Sequence, residues 1–173
     1  ALRRIHQFDA ERGEFVADRV GPREVARLLR CGALCDALLD ECFVERSAEV
    51  FGDLPAVVHG ARRYSWATVR ERSARLAAAL RRLSVGRGST VSVMLPNTPE
   101  MVEAHYAVPA LGAVLNTLNT RLDAALLAWQ MNHCEAKVLI TDREFSPTMA
   151  TALRLLKDEH GRELVVIDAN DSE

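Results

Sequence analysis

Apolar positions along the chain change period several times, and each change marks an element. Over residues 66–83, Trp66, Val69, Leu76, Leu80 and Leu83 recur at helical steps, while Arg70, Glu71, Arg72, Arg81 and Arg82 are assigned mostly to the other face; the stripe stops near Gly86. The short run Val91-Ser92-Val93-Met94-Leu95 reads as a strand ended by Pro96-Asn97. Thr98-Pro99 pairs a capping residue with proline at a first helical position, and Pro109 must then end or kink that helix, because proline has no amide proton and clashes with the preceding turn. Gly112 permits the turn into a second strand, Ala113-Val114-Leu115.

The same rhythm continues downstream. Asp123 is an N-cap for a helix carrying Leu126, Leu127, Trp129, Gln130 and Met131, and Lys137-Val138-Leu139-Ile140-Thr141 is a third strand. Ser146-Pro147 repeats the cap-then-proline signal for a helix to about Lys157, and Leu164-Val165-Val166-Ile167 is a fourth strand with Asp168 behind it. Strands alternating with helices in this way predict an α/β fold with a mainly parallel sheet, right-handed crossovers and flanking helices. Upstream, Ala56–His59 and Arg63–Ser65 flank Gly60-Ala61-Arg62 as a hairpin, with Ser65 or a neighbour capping the helix after it.

The first 45 residues have a different texture. Residues 2–19 mix charges with Phe8, Phe15 and Val16 in no sustained period and read as an irregular arm. From Pro22, the residues Val25, Leu28, Leu29, Leu38, Leu39 and Cys42 recur at helical steps despite Gly32, which predicts an amphipathic helix or helix pair. The division is therefore an arm with an amphipathic helix over 1–45 and the α/β body over 46–173, with neither internal repeat nor low-complexity linker.

Composition narrows the class of ligand. Of 173 residues, 49% are hydrophobic and 27% charged, as in a globular protein, and the net charge is -2. Such a balance creates no field that would gather nucleic acid, so a small molecule or a protein partner is expected instead. No apolar run approaches the roughly 20 residues of a membrane-spanning helix, and a cytoplasmic location is expected. Three of the four cysteines cluster as Cys31, Cys35 and Cys42, with Cys134 apart. Their spacing has neither the second close pair nor the nearby histidine of a zinc or iron–sulfur site, and on a helix all three share one side as small buried hydrophobes.

Several chemical signals fade when their surroundings are read. Asp36, Asp40 and Glu41 fit a solvated helix face, and His105-Tyr106 and His133-Cys134 fit packing or surface positions. Ser89 and Ser92 lack the Gly-x-Ser-x-Gly frame of a hydrolase nucleophile, and Gly86-Arg87-Gly88 precedes a strand where a dinucleotide fingerprint would follow one. The strand ends are more informative. The loops at 96–98, 116–123 and 142–146 all lie at carboxyl ends of strands and open helix N-termini, where amide protons and the helix dipole favour phosphate or carboxylate. Arg121 and Arg143 stand beside two of them. Asn97, Thr98, Asn119, Thr120 and Ser146 can equally serve only as caps and turn formers.

Read in order, the segments Phe51-Gly52-Asp53-Leu54-Pro55-Ala56-Val57-Val58-His59-Gly60, Tyr64-Ser65-Trp66 and Val93-Met94-Leu95-Pro96-Asn97-Thr98-Pro99-Glu100-Met101 resemble the start of an adenylate-forming (AMP-forming) acyl-CoA synthetase. Gly112-Ala113-Val114-Leu115-Asn116-Thr117-Leu118-Asn119-Thr120-Arg121-Leu122-Asp123 and Ala136-Lys137-Val138-Leu139-Ile140-Thr141-Asp142 extend the resemblance, which runs from about Cys42 to Asp171 and is similar to the bacterial fatty-acyl and methylthiopropionate-type ligases. It implies a carboxylic acid substrate, ATP with Mg2+ to form an acyl-adenylate, and coenzyme A to displace AMP as a thioester. In such enzymes the loop matching Asn119, Thr120 and Arg121, and the basic position near Arg143, lie close to the nucleotide end of coenzyme A. The ATP-holding loop of serine, threonine and glycine followed by Pro-Lys, and the small lid domain with its catalytic lysine, have no counterpart within the 173 residues. The expectation is an N-terminal fragment without adenylation or thioesterification activity of its own and with no catalytic residue assigned. The competing expectation is a free-standing α/β binding or assembly module, for which an open sheet edge would favour self-association.

Overall fold

The computed structural model describes residues 5–9, 14–15 and 39–170, with side chains described over 43–169. The elements are β1 (Ile5–Asp9), β2 (Glu14–Phe15), α1 (Leu39–Phe51), β3 (Pro55–His59), β4 (Arg62–Ser65), α2 (Trp66–Arg82), β5 (Thr90–Met94), α3 (Pro99–Ala107), β6 (Val114–Thr117), α4 (Ala124–His133), β7 (Ala136–Asp142), α5 (Ser146–His160) and β8 (Val165–Asn170). Short 3-10 turns follow α3 and β7, at Pro109–Leu111 and Arg143–Phe145. Six strands form one sheet in the order β2-β1-β8-β7-β5-β6, parallel throughout except for β2 against β1. The antiparallel pair β3–β4 stands apart as the expected hairpin.

Alternation along the central strands sends apolar groups to both faces, as a parallel sheet requires. Val91, Val93, Val138, Ile140 and Ile167 join Leu76, Ala77 and Leu80 of α2 and Ala104 and Ala107 of α3 in one core. Met94, Leu139 and Val166 face the other way, against Leu127 and Met131 of α4 and Met149, Ala152 and Leu156 of α5. Helices therefore lie on both faces, and β5 is buried at all five positions.

Local chemistry accounts for the element ends. Ser65 Oγ accepts from the Thr68 amide at the start of α2, and Asp123 caps α4 by accepting from the Leu126 amide. Pro109 does end α3 at Ala107 and begins a 3-10 turn that closes on Gly112 at φ 66°.

Five expectations need correction. Residues 2–19 are not irregular throughout, since β1 and β2 fall within them. Thr98 precedes α3 as expected, yet its hydroxyl makes no capping bond. Ser146 is already helical, and the cap at that end is Asp142, whose carboxylate accepts from the Glu144 amide at 2.8 Å and so turns β7 into the 3-10 segment before α5. On α4, Leu126 and Trp129 are exposed, whereas Leu127, Ala128 and Met131 are buried. The residues between 16 and 38, including Cys31, Cys35, Asp36 and the helical pattern from Pro22, lie outside the described residues, as do the side chains of Asp40, Glu41 and Cys42.

The fifth correction has the largest energetic weight. Arg72 does not sit on the solvent face of α2; it is 6% exposed and its Nε donates to Glu103 Oε1 of α3 at 2.5 Å. Its guanidinium also lies 4.7 Å from the ring centroid of Tyr64 and 3.7 Å from Glu100, which Arg62 of the hairpin reaches at 3.1 Å. Hairpin, α2 and α3 are thus joined by one buried cluster of two arginines and two glutamates. Burial of Glu103, 1% exposed, pushes its carboxyl up to about 7, against the opposing pull of Arg72.

Two outcomes are expected. Replacing Arg72 by alanine leaves the Glu103 carboxylate buried without its cation and costs about 3–5 kcal/mol, read from urea unfolding. Because the folded-state value of Glu103 lies above that of the unfolded chain, its protonated form stabilises the fold below about pH 4.5, and that contribution is lost as pH rises towards about 7. Unfolding midpoints measured from pH 4.5 to 8 therefore fall more steeply for the natural chain than for Glu103→Gln; equal slopes would contradict this assignment.

Candidate functional site

Parallel β5, β6 and β7 run in one direction, so the loops at 96–98, 116–123 and 142–146 open on a single edge of the sheet. This is where open α/β sheets bind their ligands. The strand order inserts β5 between β6 and β7, which separates the Arg121 and Arg143 loops by roughly 10 Å at the level of the strands. A ligand touching both would have to cross the Pro96–Thr98 loop.

The polar string at the end of β6 divides into two parts. Asn116 faces inward: its Nδ2 donates to Ser92 Oγ at 3.0 Å and to Cys134 Sγ at 3.2 Å, tying β6 to β5 and to the end of α4. Leu118 is 4% exposed, and its amide extends the ladder by donating to the Val93 carbonyl. Asn119, Thr120 and Arg121 are exposed. Asn119 Oδ1 accepts from the Arg121 amide at 2.9 Å, a local turn that holds this triplet in shape beside the N-terminus of α4. Among the described residues, the Arg121 guanidinium has no hydrogen-bond or ion-pair partner, so its charge is available to an incoming anion.

Arg143 stands in a different field. Its side chain is 57% exposed and its Nε lies 3.8 Å from Asp168 Oδ2 on β8. Burial raises the Asp168 carboxyl above the usual carboxylate range, Arg143 pulls it down, and neighbouring Asp142 adds to the rise. Arg143 stands next to Asp142 and Glu144 in the chain and beside Asp168 in space. The structure thus distinguishes the two arginines: among the described residues no carboxylate lies within ion-pair distance of Arg121, whereas Arg143 already has Asp168 beside it.

A second recess lies near the same edge. A cleft of about 360 Å3 opens between β3 and the start of α3, lined by Val57, Val58, His59, Asn97, Thr98 and Met101 among others. The remaining sequence candidates are committed locally. His105 Nδ1 lies 2.7 Å from the Met101 carbonyl, His133 stacks on Trp129 with ring centroids 4.9 Å apart, and Ser92 is fully buried against Asn116.

The Arg72–Glu103 pair was missed by sequence reasoning, although a signal was available. Position 72 falls three residues after Val69 and four before Leu76, on the apolar stripe itself. A charged residue inside such a stripe calls for a buried partner.

Comparison with known proteins places this architecture. The profile of the family described as AMP-binding enzyme matches residues 44–173. A peroxisomal acetate/butyrate–CoA ligase of Arabidopsis thaliana is 40% identical over 139 residues, which is 80% of this chain and 24% of that protein. An acetate–CoA ligase of Humulus lupulus is 39% identical over 137 residues, 79% of this chain and 24% of its own length. Among solved structures, a Mycobacterium tuberculosis fatty acyl CoA synthetase superposes with a TM-score of 0.70 at 27% identity, over 75% of this chain and 26% of that one. The chain spans about a quarter of the length of the curated relatives it matches. With the family profile covering residues 44–173 and the fold matched by a solved synthetase, the chain belongs to the AMP-binding enzyme family.

Proposed function

We propose that this chain forms the opening part of the large domain of an ATP-dependent acyl-CoA ligase and supplies one wall of the coenzyme A site. The whole reaction joins a carboxylic acid to AMP at the expense of ATP, releasing pyrophosphate, and then transfers the acyl group to the coenzyme A thiol with release of AMP. Mg2+ would accompany ATP, and neither finds a dedicated phosphate-cradling loop among these residues. The observation that carries the reading is the exposed Asn119-Thr120-Arg121 turn, whose guanidinium stands unneutralised at a strand-end edge beside the N-terminus of α4.

The chemistry of coenzyme A suits that turn. Its nucleotide end carries a ribose phosphate and a diphosphate, and a guanidinium can engage a phosphate through two parallel hydrogen bonds. Asn119 and Thr120 add side-chain donors on the same turn, and the α4 dipole adds to the positive potential. Arg143 is a weaker contributor, because binding a phosphate would require it to leave Asp168. Fatty-acyl or methylthiopropionate-type specificity and a cytoplasmic setting remain parts of this proposal drawn from the sequence resemblance. Two relatives named here are peroxisomal acetate/butyrate– and benzoate–CoA ligases of Arabidopsis thaliana. Among the described residues, no helix is long and apolar enough to cross a membrane.

Two measurements test the reading. Calorimetric titration of the 173-residue chain with coenzyme A is expected to show binding that Arg121→Ala weakens about 10-fold or more and Arg143→Ala weakens less, as the loss of one charge-assisted contact predicts. Equal affinity of Arg121→Ala and the natural chain would remove Arg121 from the site. The same chain, supplied with ATP, Mg2+ and short- to long-chain carboxylic acids, is expected to release no pyrophosphate; measurable release would refute the assignment of adenylation to other residues.

A further inference from the structure

The cleft between β3 and the start of α3 has no part in the coenzyme A reading, yet it is built like a small-molecule site. Its volume is about 360 Å3, and six of its nine lining residues are apolar, among them Val57 of β3 and Met101 and Val102 of α3. The other three are His59, Asn97 and Thr98. A mostly apolar recess of a few hundred Å3 with a small number of polar groups is the usual form of a small-ligand pocket. At about 30 Å3 for an atom the size of a water, the space takes on the order of a dozen non-hydrogen atoms.

Thr98 is the group that lacks a partner. It is 8% exposed, and its hydroxyl makes neither the capping bond expected at the start of α3 nor any other hydrogen bond among the described residues. A buried hydroxyl ordinarily finds a partner, because leaving it without one costs the desolvation of the group. Here the residue lines the cleft, so its open hydrogen-bonding position serves whatever fills that space. The surroundings also decide the charge of the occupant. No aspartate, glutamate, lysine or arginine lines the cleft. The α3 N-terminus would favour an anion, but Pro99 brings no amide proton to it and Glu100 already stands in the first turn. Glu100 is in turn met by Arg62 at 3.1 Å and Arg72 at 3.7 Å, in the cluster where two arginines face two glutamates. A charged ligand would therefore give up hydration for no opposite charge, whereas a neutral one gains the hydroxyl and the apolar walls.

We propose that this cleft is a binding site for a small neutral amphiphile, a compact apolar group bearing one amide or hydroxyl. The polar group of the ligand bonds Thr98, with Asn97 and His59 as further polar contacts, and its apolar part lies against Val57, Met101 and Val102. A ligand of this size, held by one neutral hydrogen bond and a few apolar contacts, binds with a Kd of about 1 mM. The site needs neither Arg121 nor Arg143 and is independent of the coenzyme A reading.

Three probes of one chain length and different charge test it: pentanamide, pentanoate and pentylammonium, titrated into the isotope-labelled 173-residue chain and followed by amide NMR shifts. Pentanamide is expected to shift the amides of Val57, Val58, His59, Thr98, Met101 and Val102 saturably, with a Kd of about 1 mM. The two ions are expected to bind there at least about 10-fold more weakly. Thr98→Val, nearly the same in shape, should weaken pentanamide about 3–10-fold through the loss of one neutral hydrogen bond. It should not lower the urea unfolding midpoint, because the hydroxyl makes no capping bond. Nuclear Overhauser effects from the methyl group of pentanamide to the methyls of Val57, Met101 and Val102 locate its apolar end in the unaltered chain, so the test is decisive without the variant. Absence of saturable shifts at these amides, equal or tighter binding of either ion, Overhauser contacts to other residues only, or unaltered pentanamide affinity in a folded Thr98→Val chain would each overturn the proposal.

Discussion

The structure depends on burying β5 from both sides. With all five residues of this strand inside, its neighbours β6 and β7 can hydrogen-bond only along its edges, and apolar groups alternating above and below must each meet a helix. That condition explains why α2 and α3 cover one face and α4 and α5 the other. It also aligns three strand ends on a single edge, which is the physical origin of the candidate site. The binding edge is a consequence of the packing rather than an addition to it.

Polar groups inside this framework hold it together where apolar packing alone would leave orientation loose. The Arg72–Glu103 pair locks α2 to α3, and Glu100 with Arg62 brings the hairpin into the same cluster. Asn116 does a comparable task on the opposite side of the sheet by reaching both Ser92 and Cys134. Buried charge is costly to desolvate, so such clusters are worth more as registration devices between elements than as net stabilisers. With β6 anchored through Asn116 and Leu118, the next three residues can stay exposed without losing their position.

The same separation of tasks runs through the whole edge. Asp123 and Asp142 are used to start helical turns, and Asp168 is used to hold Arg143. Arg121 is the residue left with charge to spare. A ligand-binding role for the edge therefore rests on electrostatic inequality between two arginines that look equivalent when only their sequence positions are compared. At the far side of the sheet, β1 supplies β8 with a ladder partner from outside the residues 44–173 that the family profile matches.

Local periodicity and capping by themselves determined the alternating strands and helices, the hairpin, the break at Pro109 and the Asp123 cap, because these follow from short-range sterics and amide satisfaction within a few residues. The residues 44–173 also carried the family, since many short segments in fixed order constrain each other more strongly than any one of them. Only the tertiary structure decided that Arg72 pairs with Glu103, that Asp142 rather than Ser146 makes the cap, that Asn116 and Arg121 of one loop have opposite fates, and that residues 5–9 form a strand. Each of these depends on a partner distant in sequence or on which of two nearby oxygens reaches a free amide first. The apolar stripe around position 72 marks Arg72 as inward-facing, but pairing across 31 residues to Glu103, or between β1 and β8, leaves nothing in the local sequence that names the partner.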